Sequence, residues 1–238
     1  ADTSDDEDEI KVAVIGKPNA GKSSLINKIL GEDRVIVSNI AGTTRDAIDS
    51  HYEKNGDKYL FIDTAGMRKR GKIDENVERY SVVRSLAADR SDVCVIMIDA
   101  NEGITEQDTK VAGYAHEQGK ACIFAVNKWD IVSKDTKTMK NFTMRVREEF
   151  AFMSYAEIIF ISAKTGQRVD KLLELIKKVN EQHKRRITTG MLNDVLNEAM
   201  AKQQPPSDKG RRLKVYYGTQ AATAPPTFIL FANSKDLF

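Results

Sequence analysis

The sequence predicts an α/β fold: a mostly parallel six-stranded sheet with helices on both faces, followed by a small α+β unit. Three observations predict it. Short apolar runs rich in β-branched residues recur up to residue 183, with helical stretches between them, as in strands joined by crossovers. The first run, IKVAVIG, leads through a glycine-containing loop directly into a helix. The composition then shifts at His183-Lys184-Arg185-Arg186, and one helix and two further strands follow.

Residues 10–16 read as a buried strand and residues 22–30 as a helix, with a long loop over 31–47. Runs at 48–54 and 58–63 flank Asn55-Gly56-Asp57, a hairpin turn that adds one antiparallel edge strand. Strands are expected at 92–99, 120–126 and 157–161, and helices at 75–90, 105–118, 136–151 and 168–183. Beyond them, Met191, Leu192, Val195, Leu196, Ala199 and Met200 form one apolar stripe on a helix over 188–202. The pairs Pro205-Pro206 and Pro225-Pro226 precede the strands LKVYYGTQ and TFILFAN. One helix and two strands make a marginal core. The unit is therefore expected to be truncated, or to lean on the first. The expected organisation is an acidic disordered tail over 1–9, a main domain over 10–183 and a small domain over 184–238.

Bulk properties narrow the functional class. No apolar run reaches the roughly 18 residues of a membrane span, and no signal peptide is visible, so the expected location is the cytoplasm. Cys94 and Cys122 lie inside apolar runs and read as buried reduced thiols. His51, His116 and His183 form no metal-binding pattern. Residues 1–9 hold six acids, and setting them aside raises the net charge from +2 to +8, which weakly favours an anionic partner such as nucleic acid.

The loop between the first strand and helix reads GKPNAGKS, from Gly16 to Ser23. It matches the phosphate-cradling P-loop, in which backbone N–H groups and a helix N-terminus face the phosphates. Asn19, Ala20, Gly21, Lys22, Ser23 and Ser24 are the binding residues it supplies. Lys22 is placed to reach the β- and γ-phosphates, and the Ser23 hydroxyl to ligate Mg²⁺. Asp63 opens DTAG at a strand end, a second Mg²⁺ candidate, followed by Thr64, Ala65 and Gly66. The Gly66 N–H can bond a γ-phosphate, so the stretch to about Lys72 is a candidate switch. Thr43 and Thr44 lie in IAGTTRD, where a hydroxyl can complete the Mg²⁺ shell.

Asn127-Lys128-Trp129-Asp130 follows the strand ACIFAV. Guanine presents N1–H and N2–H₂ side by side, and the Asp130 carboxylate can accept from both. Adenine offers no such pair, so Asp130 supplies the discrimination. Asn127 can bond the other edge of the base and the Lys128 stem can lie on its face. Ser162-Ala163-Lys164 closes the pocket, with the Ala163 N–H aimed at the guanine carbonyl. Trp129 reads as packing.

With these motifs the chain resembles the translation-factor-related GTPases and, closely, the bacterial double-GTPase ribosome-assembly family Der, also called EngA. GKPNAGKSSLIN, SNIAGTTRD, DTAGMRKR and NKWD are similar to its second GTPase domain. RRITTGMLNDVLNEAM, KGRRLKVYYGTQ and PPTFILFAN are similar to its C-terminal KH-like domain. The resemblance implies a GTPase that converts GTP to GDP and phosphate and acts in maturation of the large ribosomal subunit. It also implies another GTPase domain upstream in the parent protein and a KH-like domain that continues past this chain.

Met67 stands where many small GTPases carry a water-orienting Gln, and a thioether is a weak acceptor. The resemblance implies K⁺ there in place of an arginine finger, with ligands at Asn19, Ser38, Ile40 and Thr43, and Thr44 on Mg²⁺. Lys22, Asn19, Thr44 and Gly66 are then the candidate catalytic residues. The alternative is an RNA- or ribosome-binding module in which the nucleotide only positions the C-terminal domain. Its basic, aromatic face would comprise Lys209, Arg211, Arg212 and Lys214 beside Tyr216 and Tyr217.

Overall fold

Alternation along the central strands divides one sheet between two cores. In strand β1 (Ile10–Gly16), Val12 and Val14 face one side and Ala13 and Ile15 the other. Strands β4 (Val93–Asp99) and β5 (Ala121–Asn127) are buried along their whole length, as a sheet covered on both faces requires. Val93, Val95 and Met97 join the first core, and Cys94, Ile96 and Ile98 the second. Phe124 is fully buried and tilted against Phe150 at 4.4 Å between ring centroids. Burying a side chain of that size contributes roughly 2–3 kcal/mol. The computed structural model describes residues 8–31, 49–64 and 86–237.

The sheet runs β2-β3-β1-β4-β5-β6, with β2 (Ser50–Lys54), β3 (Asp57–Phe61) and β6 (Glu157–Phe160) completing it. All neighbours pair parallel except β2 and β3, which form the Asn55-Gly56 hairpin at the edge. Both turn residues have positive φ, 53° and 82°, as such a tight turn demands. Helices α1 (Lys22–Gly31) and α4 (Val169–His183) cover the first core, through Leu25, Ile26, Leu172 and Ile176. Helices α2 (Glu106–Glu117) and α3 (Thr138–Glu149) cover the second, through Val111, Ala112 and Val146. Of the helix expected at 75–90, residues 86–90 are helical and the rest lies outside the described residues.

The chain divides into two compact units, Ala1–Asn180 and Glu181–Phe238. In the second, α5 (Thr189–Lys202) lies on a hairpin of β9 (Val215–Ala222) and β10 (Thr227–Ala232). Gly218 permits that approach, because a Cβ there would sit 2.8 Å from Leu230 and 2.9 Å from Leu196. Asn193 on α5 closes the contact, donating to the Gly218 carbonyl (3.1 Å) and accepting from its N–H (2.8 Å). Two short strands, β7 (Ser207–Asp208) and β8 (Arg211–Arg212), form a further hairpin that sequence periodicity does not reveal.

Several details near the site differ from the expectations. Strand β3 ends at Phe61, short of Asp63. Gly31 closes α1, although it was expected to open the following loop. Glu9, expected within the acidic tail, belongs to the folded edge: its carboxylate lies 2.6 Å from His51 Nδ1 on β2. Its position directly before β1 brings it there.

Candidate nucleotide-binding site

Five parallel strands end along the same edge of the sheet. Ligand sites in such folds form outside those carboxyl ends. The loop after β1 holds residues 17–21, β3 leads to Asp63 and Thr64, and β4 ends on Asp99. Strand β5 ends on Asn127, and β6 leads to Ser162 and Ala163. Three non-glycine residues here have left-handed backbone, Asn19 (φ 64°), Asp63 (φ 56°) and Lys128 (φ 63°). Such conformations cost on the order of 1 kcal/mol each and gather at functional sites.

Asn127 is the hub. Its side chain donates to the Ala20 carbonyl (2.9 Å) and accepts from the Ala163 N–H (2.9 Å), and it is 2 % exposed. One buried amide thus joins the first, fifth and sixth strand ends. Gly21 makes room for it: a Cβ at residue 21 would lie 2.1 Å from Asn127 Nδ2, and its φ is +102°. Gly16 is constrained in the same way, since a Cβ there would lie 2.8 Å from the Met97 carbonyl oxygen.

Lys22, at the start of α1, folds its ammonium back across the loop. It donates to the carbonyls of Gly16 (2.7 Å) and Lys17 (2.9 Å). Ser23 is half-buried beside it and Ser24 is exposed. Lys128 donates to the Asn19 carbonyl (2.8 Å) and to Asp99 (2.7 Å). Asp130 is exposed, Trp129 packs into the second core against Phe160, and Lys164 is exposed. The Ser162 hydroxyl accepts from the Thr165 N–H (3.1 Å), which shapes the loop that carries Ala163. Asp63 is half-buried and Thr64 is buried with its hydroxyl on Ser50. Ser38, Ile40, Thr43, Thr44, Ala65, Gly66 and Met67 lie outside the described residues.

Three residues that pattern reading overlooks shape this edge. Asp49 accepts from the Asp63 N–H (2.8 Å) and pairs with Arg90. Lys17 is buried under the phosphate loop. Asp99 accepts from the N–H groups of Asn101 (2.9 Å) and Glu102 (3.1 Å) and from Lys128. Only Asp99 left a trace in the sequence, as a carboxylate closing an apolar strand. Burial works against its ionisation, but the Lys128 hydrogen bond and the two backbone donors outweigh burial and hold its pKa below the ordinary value of 3.8.

Over 98% of its length this chain is 64% identical to GTPase Der of Ruminiclostridium cellulolyticum. The chain belongs to the GTPase Der family. GTPase Der of Acetivibrio thermocellus is 62% identical over 98% of the chain. The chain spans about half the length of these Der relatives, 53% of each. Residues 11–128 match the family described as 50S ribosome-binding GTPase, so the first unit is a GTPase domain. Residues 186–238 match the KH-domain-like C-terminal family of EngA bacterial GTPases.

Among solved structures, Era in complex with MgGDPNP and nucleotides 1506–1542 of 16S ribosomal RNA is 27% identical, with a TM-score of 0.56. The likeness covers 72% of this chain and 57% of that one. An Aquifex aeolicus Era variant bound to GDP and aluminium fluoride is 26% identical, with a TM-score of 0.53, over 72% of this chain and 57% of that one.

The Asp99 contacts carry a pH signature. Its pKa is lower folded than unfolded, so its stabilising contribution is complete above about pH 4 and is lost as pH falls through the folded value. The melting-temperature difference between wild type and Asp99→Asn is therefore expected to stay constant from about pH 7 to pH 5. It should shrink below about pH 4 in thermal melts across that range.

Proposed function

We propose that the chain binds a guanine nucleotide with Mg²⁺, hydrolyses GTP to GDP and phosphate, and changes conformation with the state of that nucleotide. In the whole protein this activity serves assembly of the large ribosomal subunit. Residues 10–183 act as the switch and residues 184–238 as the KH-like effector. The observation that carries the reading is the Asn127 amide, which ties the phosphate loop to the Ala163 loop across 36 and 107 residues of sequence.

The roles follow from placement. Backbone N–H groups of residues 19–24 and the Lys22 ammonium bind the phosphates, with the N-terminus of α1 behind them. Lys22 stabilises charge on the β- and γ-oxygens by turning from the loop carbonyls toward them. Asp130, exposed at the end of the NKWD turn, accepts from the two guanine donors. The Ala163 loop, with Ser162 and Lys164, closes over the base. Thr64 and Ala65 lead to Gly66, whose N–H senses the γ-phosphate.

Ser23 and Asp63 are hard oxygen donors that fit Mg²⁺, with Thr44 as the third protein ligand. When bound, Mg²⁺ neutralises charge on the β- and γ-phosphates. The Asn19 side chain is exposed at the loop tip and makes no hydrogen bond among the described residues, so its amide oxygen fits K⁺, together with Ser38, Ile40 and Thr43. When bound, K⁺ would offset negative charge developing on the phosphates, and the Met67 thioether is too weak an acceptor to orient the attacking water.

A second reading rests on the second unit, which presents Lys209, Arg211, Arg212, Lys214, Tyr216 and Tyr217 exposed together along the chain. Tyr217 stacks on Phe231 with centroids 4.4 Å apart. Cations beside exposed aromatic rings suit single-stranded RNA, with the nucleotide controlling where this surface is presented.

Three measurements test these readings. Asp130→Asn replaces an acceptor with a donor, so GTP affinity is expected to fall by about a thousandfold, while xanthosine triphosphate gains a partner for its 2-carbonyl. Turnover should be faster in KCl than in NaCl at equal ionic strength, and Asn19→Ala should abolish that difference. Under the second reading, RNA affinity falls with salt, and Arg211→Ala lowers the slope of log K against log salt by about 0.7.

A further inference from the structure

Lys17 is the second residue of GKPNAGKS, at a position where the P-loop pattern accepts any side chain. In this fold it is buried, 3 % exposed, and its ammonium meets the turn after β4 and the first turn of α2. It lies 3.1 Å from Glu102 Oε2, 3.3 Å from Asp108 Oδ2 and 3.3 Å from the Gly103 carbonyl oxygen. Asp108 is fully buried, and its other oxygen finds no hydrogen-bond partner among the described residues. Its Oδ2 also accepts from the Thr105 N–H (2.8 Å) and hydroxyl (3.1 Å), closing a capping box at the start of α2. The Lys17 charge is thus matched to a carboxylate that is itself immobilised.

The same residue meets the phosphate loop through its backbone. The Lys17 carbonyl accepts from Lys22 Nζ (2.9 Å) and from the Ala20 N–H (3.3 Å). A side-chain anchor on one side therefore fixes a carbonyl on the other, and that carbonyl is one of two among the described residues that accept from the Lys22 ammonium. We infer that Lys17 is a positioning residue for nucleotide binding: tethered to Asp108 and Glu102, it sets the base of the phosphate loop and the placement of Lys22. The inference rests on the guanine-nucleotide reading above.

The physical reason is preorganisation. A loop already held in the binding conformation loses less freedom when phosphates arrive. A loop whose base is no longer held must be ordered at the expense of binding. A purely structural ion pair would act differently. Its loss would lower stability through the uncompensated Asp108 charge, and removing that charge as well would restore whatever was lost.

Four forms of the full chain separate the two: wild type, Lys17→Met, Lys17→Arg and the double variant Lys17→Met/Asp108→Asn. Thermal melts report stability, and titration with fluorescent N-methylanthraniloyl GDP reports affinity per binding site. Lys17→Met is expected to melt lower and to bind about tenfold more weakly. Lys17→Arg, which can still span Asp108 and Glu102, should bind within roughly threefold of wild type. The double variant should recover melting temperature toward wild type while keeping the weak binding.

Recovery of both properties in the double variant would overturn the inference, as would Lys17→Met binding with wild-type affinity. If Lys17→Met does not fold, the arginine and double variants still decide the matter. A wild-type chain that binds no GDP would remove the nucleotide reading itself and this inference with it.

Discussion

The amide of Asn127 is the interaction on which the rest of the site depends. It is buried at the end of β5, and its two hydrogen bonds run to backbone groups of two other strand-end loops. Removing it would leave the Ala20 carbonyl and the Ala163 N–H without their partner, at about 1–3 kcal/mol for each buried group. The same amide explains why residue 21 carries no side chain, because a Cβ would overlap it. The register of the sheet then does the rest. Asp99 and Asn127 are directly paired last residues of neighbouring strands, so Lys128, one residue on, meets the Asp99 carboxylate.

Two lysines brace the phosphate loop from the side of β4, and they differ in kind. Lys128 is partly exposed and bridges the Asn19 carbonyl to a carboxylate fed by two backbone donors. Lys17 is buried and bridges to the cap of α2. Lys128 ends on Asp99 and Lys17 on Glu102 and Asp108, so the turn after β4 and the cap of α2 together support the tip and the base of the loop. A charge kept out of water in this way is stabilising only when its partners are fixed, and here backbone N–H groups and a helix cap fix them.

The second unit relies on close approach more than on mass. Gly218 lets α5 reach the β9 backbone, Asn193 seals that contact, and Gln220 satisfies the Ile187 N–H (2.7 Å) and the Arg185 carbonyl (3.0 Å). Its apolar stripe is only partly used, since Leu192 is buried while Met191 and Val195 remain exposed. These hydrogen bonds satisfy backbone groups around an otherwise thin core.

Much of this was legible in the sequence because it is local. Short apolar runs rich in β-branched residues gave the strands of the sheet, Asn55-Gly56 placed the antiparallel edge, and GKPNAGKS, NKWD and SAK marked three of the loops by residue type and order. What was not legible joins residues far apart in the chain. Nothing about Asp49 predicts that it holds the Asp63 backbone, and nothing about Lys17 or Asp108, 91 residues apart, predicts their meeting. The short β7–β8 hairpin also escaped, because two-residue strands have no periodicity to read. The sequence by itself determined which chemical groups stand at the strand ends, since strand and motif are written contiguously. Only the tertiary structure decided which of those groups touch, because that depends on strand order and register, and these are set by packing across the whole sheet.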